Sequence, residues 1–181
     1  MPGESPRLRL NPMSTALLVI DVQMALFSRP RPIYRADDLI LNINALVEMF
    51  RLANALVVYI QHSNNKMLIK DSGGWGFHPD LCIEETDPII HKIHGNAFKG
   101  TNLKQILESS GIEDIVITGL VTQGCVKATS IGEIKLGYRV ILVEDGHSNY
   151  SKDAHKIIEK WNLIFDKEQM ELFSADEIGF V

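Results

Sequence analysis

Short unbroken apolar runs alternate along this chain with longer stretches in which apolar residues return every three or four positions. Thr15-Ala16-Leu17-Leu18-Val19-Ile20, Ala55 to Ile60, the short Pro88 to Lys92, Asp114 to Thr118 and Arg139 to Glu144 read as strands. Their near-continuous hydrophobicity predicts burial on both faces, as in a parallel sheet. A weaker sixth strand is expected near Met170 to Phe173. Leu39, Ile40, Ile43, Leu46, Val47 and Phe50 mark a helix from about Ala36 to Ala53, and Leu103, Ile106 and Leu107 a short one from Thr101 to Ser109. Ser151 is placed to cap a helix running to about Trp161, with Ala154, Ile157, Ile158 and Trp161 facing inward. Strands alternating with amphipathic helices predict an α/β fold: a three-layer, Rossmann-like domain with helices on both faces of a mostly parallel sheet.

Residues 1–14, with their three prolines, read as an irregular N-terminal arm, and residues 15–181 as one domain. A long irregular stretch from His62 to Asp87 carries Gly73-Gly74-Trp75-Gly76-Phe77-His78-Pro79, and a connection of that length inside a compact domain is usually functional. No Gly-x-Gly-x-x-Gly follows the first strand and no phosphate-binding Gly-x-x-x-x-Gly-Lys-Ser/Thr occurs, so a nucleotide cofactor is not expected. A net charge of −5 without a basic patch argues against a nucleic-acid partner. No apolar run approaches the ~20 residues of a membrane span. The first twelve residues lack the apolar core of a secretory signal. Cys82 and Cys125, far apart in the chain, then read as free thiols of a cytoplasmic protein rather than as a disulfide.

The candidate chemistry centres on Gly119-Leu120-Val121-Thr122-Gln123-Gly124-Cys125-Val126. It joins the fourth strand to a helix whose apolar residues begin near Val126. A thiol in the first turn of a helix gains from the free N–H groups and the macrodipole, which lower its pKa. The same N–H groups can hold an oxyanion. Asp21 ends the first strand and Lys92 the third. If the strand order is 3-2-1-4-5-6, the first and fourth strands are neighbours at the switch point, where ligands bind beyond the carboxyl ends of strands. Asp21 and Cys125 would face each other there, with Lys92 reaching in from the same rim. Each residue also has a plain structural reading: Asp21 as a turn residue, Lys92 as a solvated strand end, Cys125 as a small buried hydrophobe. His62 ends the second strand and is a candidate substrate contact, as are Gln23 and, as a lid, Trp75 and Phe77.

Several separated pieces resemble the isochorismatase-like cysteine hydrolases, the superfamily that includes nicotinamidases and N-carbamoylsarcosine amidohydrolase. They are Val19-Ile20-Asp21-Val22-Gln23, Lys92 with Asn96-Ala97-Phe98 and Thr101-Asn102-Leu103, Gly119 to Val126, Gly137-Tyr138-Arg139-Val140, and Asp145-Gly146-His147-Ser148. The resemblance spans residues 15–165. It implies a six-stranded parallel sheet and an Asp21–Lys92–Cys125 triad. It also implies a cis peptide between Leu120 and Val121 that aims the Val121 and Cys125 N–H groups at one oxyanion. The implied activity is hydrolysis of a C–N bond in a small amide, carbamoyl or ureido compound through a thioester. A non-catalytic binding or scaffold role and vinyl-ether hydrolysis are the alternatives, and Cys125 argues against the second. A homo-oligomer, dimer or tetramer, is also implied, with Phe173, Ile178, Phe180 and Val181 as candidate contact residues. The nicotinamidase Asp-x-His pair after the second strand is missing from Gln61-His62-Ser63-Asn64-Asn65-Lys66. Asp145-Gly146-His147 and Asp153-Ala154-His155 have that spacing, but both lie after the fifth strand. The expectation is therefore no metal and no cofactor.

Overall fold

The computed structural model describes residues 7–181. The chain runs β1 (Leu8–Leu10), β2 (Thr15–Ile20), α1 (Met24–Phe27), α2 (Ala36–Leu52), β3 (Leu56–His62), β4 (Ile89–Lys92), α3 (Leu103–Ser109), β5 (Asp114–Leu120), α4 (Lys127–Leu136), β6 (Arg139–Ser148), α5 (Ala154–Lys167), β7 (Glu171–Phe173) and β8 (Ile178–Phe180). The six-stranded sheet has the order β4-β3-β2-β5-β6-β7, and all its pairings are parallel. Counted within this sheet the order is 3-2-1-4-5-6, as expected, with β2 and β5 adjacent at the switch point.

Side chains of one strand go alternately to two cores, as a pleated strand buried on both faces requires. Leu17, Val19, Val57, Tyr59, Val116, Ile141 and Val143 pack with the apolar stripe of α2. Ala16, Leu18, Ile20, Val58, Ile60, Ile115, Ile117 and Leu142 pack on the other side with Leu103 and Leu107 of α3 and Phe165 of α5. The six apolar positions that predicted α2 are all buried. Among the described residues no helix is long and apolar enough to cross a membrane.

Four expectations need correction. Residues 1–6 of the arm lie outside the described residues, but the rest of it is ordered. β1 pairs in parallel with β8, and the Asn11 side chain accepts from the Met13 N–H to cap a turn at Pro12–Ser14. Ile178 is buried in that pairing, so it is used inside the chain rather than held for a subunit contact, while the half-buried Phe180 stacks edge-on against Phe50. Ser151 caps nothing: Asn149 Oδ1 takes its N–H, and α5 starts at Ala154 and runs on to Lys167. Cys125 does not sit in the first turn of α4. Thr122–Val126 forms a separate wide turn, broken at Gly124 (φ −110°, ψ −111°), and α4 opens at Lys127.

Candidate active site

Three strand ends and one turn build the site. β2 ends at Ile20, and the next residue, Asp21, turns the chain in the left-handed region (φ 52°). Aspartate tolerates that conformation better than most residues, and the turn is held by the Asp21 N–H donating to Ile60 O and the Gln23 N–H to Asp21 O. β5 comes very close to β2 here. Gly119 has φ +115°, and a Cβ on it would lie 2.1 Å from Ile20 O. Only glycine permits this approach, which brings the Cys125 turn beside Asp21.

Lys92, the last residue of β4, runs inward with its side chain fully buried. Its Nζ donates to Asp21 Oδ2 at 2.8 Å and to Cys125 Sγ at 3.2 Å. The third partner is His62 Nδ1 at 3.1 Å. An ammonium has three N–H donors, so all three are engaged. The structure therefore brings Asp21, Lys92 and Cys125 together and adds His62 to them. Asp21 Oδ1 is buried without a hydrogen-bond partner among the described residues.

The electrostatics differ from the expectation for a helix-start thiol. Burial, then the charge of Asp21, pushes the Cys125 thiol up to about 12, while Lys92 pulls it down. Burial also raises the Asp21 carboxyl above its ordinary value against the pull of Lys92. A raised carboxyl is a stronger base, and it competes with the thiol for one proton. With its pKa pushed that high, the Cys125 thiol keeps its proton at rest. Burial and then the neighbouring Lys92 lower His62 to about 4, so it faces the ammonium as a neutral acceptor.

The other predicted contacts go elsewhere. Gln23 is fully buried. Its amide donates to His62 O and Trp75 O and accepts from the His62 N–H, so its bonding capacity positions backbone rather than substrate. Trp75 Nε1 donates to His62 O and Ser63 Oγ, and its ring stacks on His91 at 5.4 Å. Phe77 packs edge-on against Tyr59 and forms a bridge with Gln23. The N–H groups of Met24, Ala25 and His78 bond Gly76 O, Gly74 O and Val22 O. The 63–87 loop is thus stitched onto α1, and both aromatics belong to its packing rather than to a free lid.

Thr122, His147 and Asn162 hold the turn from the other side and were not foreseen as a unit. Thr122 Oγ1 lies 2.9 Å from His147 Nδ1, and His147 Nε2 lies 2.8 Å from Asn162 Oδ1 of α5. Burial lowers His147 to about 4. The Asp145-Gly146-His147-Ser148 motif was the one sequence signal available for it. The Leu120–Val121 peptide, just before Thr122, is cis. The surface cleft of about 640 Å³ between the 31–35 segment and the start of α5 contains none of these groups.

A doubly wound α/β domain with a buried carboxylate, ammonium and thiol converging at its switch point defines the class. The chain belongs to the isochorismatase family: the Isochorismatase domain matches residues 15–158. It is 29% identical over 141 residues to a streptothricin hydrolase of Streptomyces noursei, covering 77% of this chain and 51% of that one. The chain thus spans about half the length of that relative. It is 28% identical over 185 residues to the ureidoacrylate amidohydrolase RutB of Klebsiella pneumoniae (strain 342), covering 80% of this chain and 78% of that one. The crystal structure of an isochorismatase family protein superposes with a TM-score of 0.84 at 28% identity, covering 88% of this chain and 98% of that one.

Proposed function

We propose that this protein is a cysteine-dependent hydrolase that cleaves a C–N bond in a small amide, carbamoyl or ureido compound through a thioester. The observation that carries the reading is the buried Lys92 ammonium between Asp21 Oδ2 at 2.8 Å and Cys125 Sγ at 3.2 Å. Two relatives whose names describe a streptothricin hydrolase and an amidohydrolase point the same way.

Asp21 takes the thiol proton, and Lys92 stabilises the thiolate that forms, since an adjacent cation favours the ionised partner. The thiolate attacks the carbonyl carbon. The Val121 and Cys125 N–H groups receive the developing oxyanion. Protonated Asp21 then donates to the departing nitrogen, and the C–N bond breaks to leave a thioester. Water, deprotonated by Asp21, releases the acid and restores the thiol. No metal enters the reaction as proposed.

A panel of small primary amides, carbamoyl and ureido compounds, assayed for ammonia release, tests the reading. At least one compound should be hydrolysed by the wild type and not by Cys125→Ala, with an acyl adduct on Cys125 by mass spectrometry after rapid quench. Turnover without an adduct, or turnover that survives in Cys125→Ala, would refute the thioester route.

A further inference from the structure

The Lys92 ammonium occupies the middle of a donor set. One donor atom each from Asp21, His62 and Cys125 lies within 4.8 Å of the others, and Lys92 Nζ is 2.8, 3.1 and 3.2 Å from Asp21 Oδ2, His62 Nδ1 and Cys125 Sγ. A carboxylate oxygen, a neutral imidazole nitrogen and a thiolate sulfur form a borderline-soft set suited to tetrahedral zinc, as are their combinations in known zinc sites. Zinc bonds run about 2.0–2.2 Å to oxygen and nitrogen and about 2.3 Å to sulfur. Each donor would need to move inward by roughly 1 Å from its distance to the ammonium. The buried Asp21 Oδ1 has no hydrogen-bond partner among the described residues, which leaves one carboxylate oxygen uncommitted.

Charge balance points to the same substitution. The site holds two units of positive charge, the ammonium and the thiol proton, against a carboxylate and a thiolate. A divalent cation replaces both at once, because a metal drives a thiol to its thiolate and expels the proton. We propose that Asp21, His62 and Cys125 form a latent site for a thiophilic divalent cation, and that Lys92 keeps it closed by placing its ammonium where the ion would sit. Lys92 thereby has a task of its own: it keeps zinc off the Cys125 sulfur. This inference rests on the donors alone and stands whether or not the hydrolytic reading holds.

Cobalt(II) titration of purified wild type, Lys92→Ala and Lys92→Ser tests it without an activity assay. Removing the side chain should open a site for one cobalt per chain, with a thiolate-to-cobalt charge-transfer band and tetrahedral visible bands. Affinity should exceed that of the wild type at least ~100-fold, and zinc should displace the cobalt. Adding His62→Ala should weaken binding about 10–100-fold, the usual effect of losing a metal-site partner. Adding Cys125→Ser should abolish the charge-transfer band. Folding of a Lys92 variant only when zinc is present supports the proposal equally. Binding no tighter than the wild type, binding indifferent to His62→Ala and Cys125→Ser, or failure of both Lys92 variants to fold even with zinc would overturn it.

Discussion

Two histidines flank the candidate nucleophile, and they make an instructive pair. His62, the last residue of β3, and His147, near the end of β6, are both lowered to about 4, in each case mainly by burial. Both are therefore neutral rings at physiological pH. Their partners differ. His62 faces the Lys92 ammonium, so it touches the charge of the site. His147 lies between the Thr122 hydroxyl and Asn162, so it touches the shape of the turn. One ring in one protonation state serves electrostatics on one flank and geometry on the other. The difference comes from the elements that carry them: an open sheet end beside a charged strand neighbour, against a closed corner between β6 and α5.

The largest effect removes what both flanks serve. Cys125→Ala should lower turnover by several orders of magnitude with an unchanged circular dichroism spectrum, and Asp21→Asn should do the same because an amide cannot take the proton. Retention of more than a few per cent of wild-type turnover would take Cys125 out of the nucleophile's role. Next is His147→Ala, which cuts a buried network and leaves a cavity. It should cost about 2–4 kcal/mol in chemical denaturation, the range for large-to-small buried substitutions. Turnover should fall with it. His62→Ala should cost under about 1 kcal/mol, as its ring is only half-buried, yet lower kcat roughly tenfold with little change in KM. His62→Gln should recover part of that loss because its amide oxygen can accept from Lys92. Equal stability losses at the two histidines would erase the distinction.

The two rings also differ in the pH dependence they give to stability. A histidine whose folded pKa lies below its unfolded value leaves the unfolded chain binding more protons between the two. The stability associated with a neutral His147 is full above about 6.5 and is lost as pH falls toward about 4. The span corresponds to about 3 kcal/mol for this fully buried ring. Denaturation midpoints followed from pH 7 to pH 4 should fall for the wild type and fall less for His147→Gln. His62 carries the same sign with a smaller amplitude, so His62→Gln should flatten the curve less. The reverse ranking would exchange the roles of the two flanks.

Some of this was readable in the chain and some was not, for physical reasons. Strand β2 is a run of six buried residues, and its hydrophobicity announces it. The α2 stripe is equally plain. Asp21 and Lys92 were accessible because a polar residue at the end of an apolar strand stands out, and parallel order puts such ends on one rim. Gln23, a candidate substrate contact, uses its amide to bond backbone 39 and 52 positions away. Nothing local encodes such partners. His147 and Asn162 are 15 positions apart and Thr122 and His147 are 25 apart, so only the folded sheet assembles them. The reading of Cys125 as helix-stabilised failed because Gly124 breaks the helix before α4 begins, leaving burial in control of the thiol. The need for glycine at position 119 was not legible either, since it comes from the Ile20 carbonyl pressed against it.

The parallel pairing of β1 with β8 has a kinetic consequence. Arg9 and Phe180 are 171 positions apart, and the Val181 N–H bonds Leu10 O. Closing so long a ring in a disordered chain is entropically costly, and three residues a side offer few contacts in return. Once the six-stranded sheet has formed, however, the two segments already lie side by side and the closure cost has been met. The pairing should therefore form after the rate-limiting step of folding and break before the sheet does. In native-state hydrogen exchange, the β1–β8 amides should open at a lower free energy and with a smaller denaturant dependence than those of β2 and β5. Substitutions such as Leu10→Ala should act mainly on the unfolding rate and leave the folding rate nearly unchanged.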